Sequence, residues 1–399
     1  MIYTDEVKDE VESGAVDESE VVDASSQTQV NSAELSREEA KSPQKKKTID
    51  EKLYSDESVA TSIQKCPNCG GETVFDAKLQ KTKCLYCGGT FDIANESTVT
   101  EQDIDGLLTQ ATVWKEADVY RCQTCGAKQI ISKQDVAHTC PFCGTSHIIK
   151  TEELPGLKPQ GVVPFKMPVE KVAECALKWV KKRFFAPRAF KQSARPENIH
   201  GVYNPVFTFD SETKSSYEGR LGETVRTDKG SHTRYFHVSG NIDVNFDDLL
   251  VQASSAITTT TLNKISPFST NTAPAYTDKY LRGFKASTYN KDGKACWEEG
   301  KDLMSAQIER KILSRYHYDT KDYLNVKTAY LKQKYKYVLV PVYVGHHTYK
   351  GKLYNFYVNG ENGKVTGKTP LSPFKVTLAV ILGILFVAGV VFLAMYLGD

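Results

Sequence analysis

The chain has 399 residues and a formal net charge of +2, which conceals an uneven division of charge. Residues 1–60 carry a net charge of −9, residues 61–150 carry −1, and residues 151–399 carry +12. The N-terminus has neither a basic start nor an apolar core, so it does not resemble a secretory signal peptide. We therefore expect a reducing compartment, where cysteines rarely form disulfides.

Residues 1–60 are predicted to form a disordered acidic arm. Their only aromatic side chains are Tyr3 and Tyr54. Such a segment cannot bury enough apolar surface to offset the entropy that it would lose on ordering. Its role is left open by the sequence.

Eight of the ten cysteines form two copies of one pattern, and the second copy lies 56 residues after the first. The members are Cys66, Cys69, Cys84 and Cys87, followed by Cys122, Cys125, Cys140 and Cys143. Within each pair, two intervening residues let both thiolates face one ion at about 2.3 Å, as tetrahedral zinc requires. The pattern predicts two zinc ribbons and two zinc ions per chain.

Disulfide-bonded knuckles and a rubredoxin-like iron site are the alternatives for these cysteines. Zinc is favoured because disulfides need an oxidising compartment. Four thiolates would close the coordination sphere, so the ions are expected to be structural. The glycine after each pair, at positions 70, 88, 126 and 144, is expected to adopt a positive φ.

We assign the first ribbon to residues 61–95, a spacer to 96–117 and the second ribbon to 118–150. The ribbons could pack together or form separate metal-held units. Leu85–Tyr86 and Pro141–Phe142 could form a contact surface or cover the metal. The lysines of the first ribbon are interpreted as a solvated hairpin edge, with contact to nucleic acid or an acidic partner as the alternative; they are Lys78, Lys81 and Lys83.

Residues 151–374 are predicted to form an α+β body. A helix is expected after Pro168, over residues 169–185, and its inner face is expected to contain Val172, Cys175 or Ala176, Trp179 and Phe184. Its basic face is interpreted as solvated, with lipid headgroups or an acidic protein partner as alternatives. A second helix is expected over 295–316, with an inner stripe of Trp297, Met304, Ile308 and Ile312.

The rest of the body is expected to form an antiparallel sheet. Alternating or β-branched runs predict strands over 201–210, 233–246, 334–344 and 352–358. Asn359–Gly360 and Asn362–Gly363 predict turns.

We predict no catalytic set in the body. The segment 360–369 lacks the glycine spacing of a phosphate-binding loop, so a strand and a turn are expected there. His346 and His347 would point to opposite faces of a strand, and Cys175 and Cys296 are isolated. The chain is therefore expected not to be an enzyme.

The last segment, residues 375–399, is predicted to be a transmembrane anchor. Residues 376–397 are 22 consecutive uncharged residues, enough to cross a hydrocarbon core of about 30 Å. Lys364, Lys368 and Lys375 precede the segment, so the positive-inside tendency places the rest of the chain in the cytoplasm. We expect a single-pass, tail-anchored protein of the cell membrane.

The CxxCG knuckles and the run 354–375, directly before an apolar helix, resemble a family of bacterial membrane-anchored proteins with a TFIIB-type zinc ribbon. That family is often loosely labelled primosomal helicase-like. The resemblance covers most of residues 61–399 and implies flotillin-type or phage-shock-type partners at the membrane. The helicase label is not supported, because no nucleotide-binding loop is found in the sequence.

The sequence as a whole predicts a non-enzymatic, zinc-binding membrane adaptor that presents its ribbons and body to other proteins. The alternative is a membrane-tethered nucleic-acid-binding protein that uses the ribbons and the basic body. The near-neutral charge of residues 61–150 disfavours this alternative, because phosphate contacts need a basic face.

Overall fold

A computed structural model describes residues 65–94, 97–109, 119–130, 139–146, 148–151, 157–228 and 230–397. The acidic arm predicted over residues 1–60 lies outside these residues. All the described residues belong to one compact unit. The fold class is α+β, as predicted, with two cysteine-rich ribbons, a mixed sheet, packed helices and one apolar C-terminal helix.

The first ribbon is a small antiparallel sheet of three strands, which are β1 Thr73–Asp76, β2 Lys81–Cys84 and β3 Thr90–Phe91. The side chain of Asp76 accepts hydrogen bonds from the amides of Lys78 (2.9 Å) and Leu79 (3.0 Å), which closes the turn between β1 and β2. Asp is favoured at such a position because its carboxylate satisfies amides that the turn leaves unpaired.

A second sheet contains the remaining strands. These are β4 Gln102–Asp103, β5 Val119–Cys122, β6 Lys128–Ile130, β7 Ile148–Thr151, β8 Gly161–Val162, β9 Ile199–Thr227, β10 Gly230–Gln252, β11 Lys285–Ser287, β12 Thr320–Tyr349, β13 Lys352–Asn359 and β14 Val365–Gly367. The α-helices are α1 Ile104–Thr109, α2 Val169–Lys181, α3 Thr259–Ile265, α4 Gly293–Leu313 and α5 Pro373–Leu397. Short 3₁₀ helices span Arg188–Ala194, Pro196–Asn198, Thr270–Thr272 and Asp278–Leu281.

Three long antiparallel strands form the centre of this sheet, in the order β10-β9-β12. They contain 23, 29 and 30 residues, far more than a typical strand of about 5–6 residues. Residues 202–210 of β9 are buried without alternation, so both faces of the sheet are covered there. Beyond Asp210 burial largely alternates, and α4 packs on the covered face through Met304, Ile308 and Ile312.

All four predicted strand segments lie within β9, β10, β12 and β13, and the predicted turn lies between β13 and β14. The two predicted helices correspond to α2 and α4. The inner stripe of α4 is confirmed, since Trp297, Met304, Ile308 and Ile312 are all buried. The prediction for Phe184 was wrong: α2 ends at Lys181, and Phe184 lies in the following turn with 71% of its surface exposed.

The second ribbon is part of the large sheet. Its strands follow the order β6-β5-β7, and β6 pairs with the body strand β11 through Ala286 and Ile130. Strand β11 in turn pairs in parallel with β9. The backbone hydrogen bonds of this ribbon are therefore continuous with those of the body, whereas the first ribbon keeps a sheet of its own.

Candidate metal centres and knuckle surfaces

The eight predicted ligands come together in two groups of four. In the first group the sulfurs of Cys66 and Cys87, and of Cys69 and Cys84, lie 3.5 Å apart. In the second group the corresponding distances are 3.6 Å. Four sulfurs at about 2.3 Å from one tetrahedral ion would be about 3.8 Å apart, so both groups come close to the spacing that such an ion requires. None of these eight cysteines forms a disulfide in this structure.

Each knuckle has the same backbone geometry. The amide of the glycine that follows the second cysteine donates to the carbonyl of the first, at 2.8–3.1 Å in all four knuckles. The φ angles of these glycines are between 71° and 75°, which confirms the positive φ expected at positions 70, 88, 126 and 144. A side chain at φ near 70° is strained, so glycine satisfies the turn at the lowest cost.

Hydrogen bonds favour the thiolate form of one cysteine in each group, whereas a neighbouring thiol keeps its proton; the hydrogen bond shared with Cys140, for example, raises the pKa of Cys125. A hydrogen bond from the Cys87 amide lowers the pKa of Cys84 to about 6. A hydrogen bond from the Cys125 thiol lowers the pKa of Cys140 to about 5. A lowered pKa means that the thiolate predominates at neutral pH and is lost as the pH falls. Thiolate is the form that binds metal, so one sulfur of each group is already in that form at neutral pH, and binding an ion would release protons from the others.

The donor set also limits the chemistry of these centres. Two tight groups of four cysteines can hold two metal ions, and sulfur ligands in a tetrahedron are typical of zinc. Four protein ligands leave no position for a reactive water. An ion bound here would stabilise the fold rather than perform hydrolysis.

The two ribbons differ in where their knuckle residues lie. In the first ribbon Leu85 is 63% exposed and Tyr86 is 76% exposed. In the second ribbon Pro141 and Phe142 are buried, and Phe142 is only 2% exposed in a cluster with valines of β9 and β12. One knuckle is therefore part of the core, whereas the other presents apolar surface to the solvent.

The first ribbon is held on the body by its hairpin. Phe75 is buried and packs edge-on against Tyr280, with ring centroids 5.4 Å apart. The amide of Phe75 donates to the carbonyl of Arg282 at 3.0 Å, and the side chain of Gln80 donates to the carbonyl of Phe165 at 2.7 Å. These contacts leave the knuckle of Tyr86 free.

A groove with a volume of about 890 Å³ separates this knuckle from the body. Leu85, Tyr86 and Lys83 line it on the ribbon side, and Phe284 and His200 are among the residues that line it on the body side. The groove thus combines apolar and basic side chains beside the exposed knuckle.

The histidines of β12 lie on opposite faces, as predicted. His346 lies against Gly144 of the second ribbon, and its ring stacks 6.1 Å from that of His200. His347 packs edge-on against Phe190 at 5.6 Å. Burial lowers the pKa of both histidines, so they are mainly neutral packing residues at pH 7.

The remaining sequence features have ordinary structural roles. Segment 360–369 forms a turn and β14, as predicted. Cys296 is fully buried, and burial raises its pKa to about 12, so its thiol stays protonated. Sequence reasoning missed one cluster, in which the carboxylates of Glu101, Asp210 and Asp247 converge. These residues lie far apart in the chain and form no local motif, so only the fold reveals them.

Comparison with known proteins shows a distant similarity to a bacterial protein. The chain is 29% identical over 320 residues to the uncharacterized protein YdjG of Bacillus subtilis (strain 168). The alignment covers 78% of this chain and 91% of that protein. No protein-family model matches the chain, and no solved structure matches it.

Proposed function

We propose that the protein is a non-enzymatic, zinc-binding membrane adaptor whose first ribbon binds a protein partner. The observation that carries this proposal is the contrast between the two knuckles. Leu85 and Tyr86 are exposed in the second knuckle of the first ribbon, whereas Phe142, the equivalent of Tyr86, is buried. Exposed aromatic side chains on preorganised turns are typical of protein contact sites.

Helix α5 supplies the anchor. Its span Pro373–Phe392 has a mean hydropathy of 2.5, and none of it is buried against the rest of the described chain. A helix that is apolar all round and has no protein partner is most stable inside a bilayer. The basic residues before it favour a cytoplasmic location for the body.

A surface at the start of α5 supports the same placement. We call residues 181–186 and 371–375 the membrane corner. The amide of Ser372 donates to the carbonyl of Phe185 at 2.8 Å, and Lys375 Nζ donates to the carbonyls of Phe184 at 2.9 Å and Ala186 at 2.7 Å. The corner therefore stays at the point where α5 would enter the bilayer.

The exposed side chains of this corner match a lipid headgroup region. Phe184 and Phe374 are 71% and 76% exposed. Lys181, Lys182 and Arg183 are exposed beside them. Each basic residue near an anionic surface can contribute about 1 kcal/mol to binding. Of the alternatives for the basic face of α2, this geometry favours lipid headgroups.

The closed cysteine groups and the buried Cys296 thiol support a non-enzymatic role. The resemblance to membrane-anchored TFIIB-type zinc-ribbon proteins suggests flotillin-type or phage-shock-type partners. The competing proposal is nucleic-acid binding by the ribbons and the basic body. In the first ribbon Lys81 is already paired with Asp92 at 2.8 Å, which reduces the basic surface on that edge.

The test is a pull-down of the full chain from solubilised membranes, with proteins identified by mass and nucleic acid quantified. We expect a stoichiometric protein that survives nuclease. Leu85→Ser/Tyr86→Ser should lose that protein while the metal content stays unchanged.

The matched control is Tyr235→Ser/Leu331→Ser, which removes the same two residue types from the body, where they are 49% and 41% exposed. This variant should keep the partner. Co-eluting nucleic acid that is lost as salt rises would instead support the nucleic-acid proposal.

A further inference from the structure

Three carboxylates from distant segments meet beside the interior of the long strand β9. Glu101 comes from the spacer just before β4, Asp210 lies in β9, and Asp247 lies in β10. One carboxylate oxygen from each of the three residues lies within 4.8 Å of the other two. This spacing matches oxygens on one cation with bonds of about 2.4 Å, because opposite ligands of such an ion are about 4.8 Å apart.

Asp210 is the buried member, and one of its oxygens lacks a partner. The residue is 8% exposed. Its Oδ1 accepts a hydrogen bond from the Asp248 amide at 2.5 Å, whereas its Oδ2 is buried and has no hydrogen-bond partner among the described residues. A buried carboxylate oxygen without a partner is costly, because it has lost water and gained nothing in return.

Irregularities in both neighbouring strands occur beside Asp210. In β10 the pairing with β9 shifts between Phe246 and Leu249, and in β12 it shifts between Leu331 and Lys334. Such bulges redirect side chains that a regular strand would point elsewhere. Here the bulge of β10 contains Asp247, the third carboxylate of the cluster.

Two lysines lie beside the cluster but do not neutralise it. Lys336 Nζ lies 2.6 Å from Asp248 Oδ1 and 3.7 Å from Glu101 Oε1, and Lys334 Nζ lies 3.0 Å from Glu101 Oε2. With Asp210 and Asp247 there are four carboxylates and two ammonium groups. The net charge of these six groups is therefore −2, which one divalent cation would neutralise.

We propose that Glu101, Asp210 and Asp247 bind one hard divalent cation of the size of Ca²⁺. An all-oxygen donor set favours such an ion over zinc, which the cysteine groups would hold. The bound ion would fasten the spacer between the ribbons to β9 and β10. It would thus add a second kind of metal to the molecule, independent of the proposed adaptor role.

The test is equilibrium dialysis of the full chain in detergent against ⁴⁵Ca²⁺, after treatment that leaves its zinc in place. We expect one Ca²⁺ per chain and a rise in melting temperature with added Ca²⁺. Asp210→Asn should weaken binding at least about tenfold, because it removes the charge of the buried ligand.

Asp243→Asn is the matched control, since it removes the same charge from an exposed position of β10. It should bind Ca²⁺ like the native chain. Glu101→Gln serves as the second variant if Asp210→Asn does not fold. The proposal is overturned if the native chain binds no Ca²⁺ at millimolar concentration, or if Asp210→Asn and Glu101→Gln both bind it like the control.

Discussion

The most informative difference at the scale of residues lies between Tyr86 and Phe142, which occupy equivalent positions in the two ribbons. Both are aromatic residues one position before the second cysteine of a knuckle. Tyr86 is 76% exposed and Phe142 is 2% exposed. The repeated knuckle therefore serves two purposes: one aromatic residue stabilises the body, and the other is available for contact.

This difference predicts unequal effects of truncation. Phe142→Ala should destabilise the chain by about 3–5 kcal/mol, because it leaves a cavity in a packed core. Tyr86→Ala should change stability by less than about 0.5 kcal/mol, because little of its surface is buried. Thermal unfolding of both variants, each with its zinc content measured, checks this. Equal destabilisation by the two substitutions would contradict the different contributions of the two knuckles to stability.

At the scale of elements, the second ribbon is a continuation of the body sheet. Its strand β6 is hydrogen-bonded to β11, and the buried Cys122 and Cys140 belong to the same core cluster as Val202 and Val338. The first ribbon contributes Phe75 and Ala77 to another cluster but has its own sheet. Loss of metal from the two ribbons should therefore have different consequences.

Two variants test this difference: Cys84→Ser removes a ligand from the first ribbon, and Cys140→Ser removes the equivalent ligand from the second ribbon. Each should release one metal ion, because one ligand of a four-cysteine group is lost. Cys140→Ser should lower the melting temperature of the body at least about 3 °C further than Cys84→Ser, which corresponds to about 1 kcal/mol for a body of this size. Calorimetry with metal analysis measures both effects. Identical melting of the two variants would contradict the assignment.

Sequence patterns located the element centres but not their ends. The segment 201–210 was recognisable because apolar and aromatic residues are concentrated there. The extension of β9 beyond Asp210 could not be recognised from the sequence. Its buried positions Thr213 and Ser215 are small and polar, so they do not produce an alternation of apolar and polar residues. The ligand cysteines were recognisable from local spacing. The burial of Phe142 depends on distant strands, which local patterns do not encode.

At the scale of the whole molecule, the membrane corner would fix how the body faces the bilayer. The hydrogen bonds of Lys375 and Ser372 hold Phe184 and Phe185 beside the first turn of α5. If α5 spans the membrane, these rings lie at the level of the headgroups. The first ribbon would then be presented by a body with a defined orientation.

A tryptophan at the corner should report this orientation. In full-length protein reconstituted into anionic vesicles, we expect Phe184→Trp fluorescence to be quenched by brominated lipids, because the ring would contact acyl chains. Leu331→Trp, on a distant exposed part of β12, should not be quenched. Phe386→Trp in α5 is the control for insertion. If Phe386→Trp is quenched and Phe184→Trp is not, α5 enters the membrane but the membrane corner does not contact it.

The proposed function requires two closed zinc centres in a chain anchored by α5. Its most direct test is the metal content of the purified full-length chain, measured by elemental mass spectrometry against protein concentration. Two cysteine groups of four predict a ratio of two zinc ions per chain. A ratio near one or zero, or iron in place of zinc, would contradict the account.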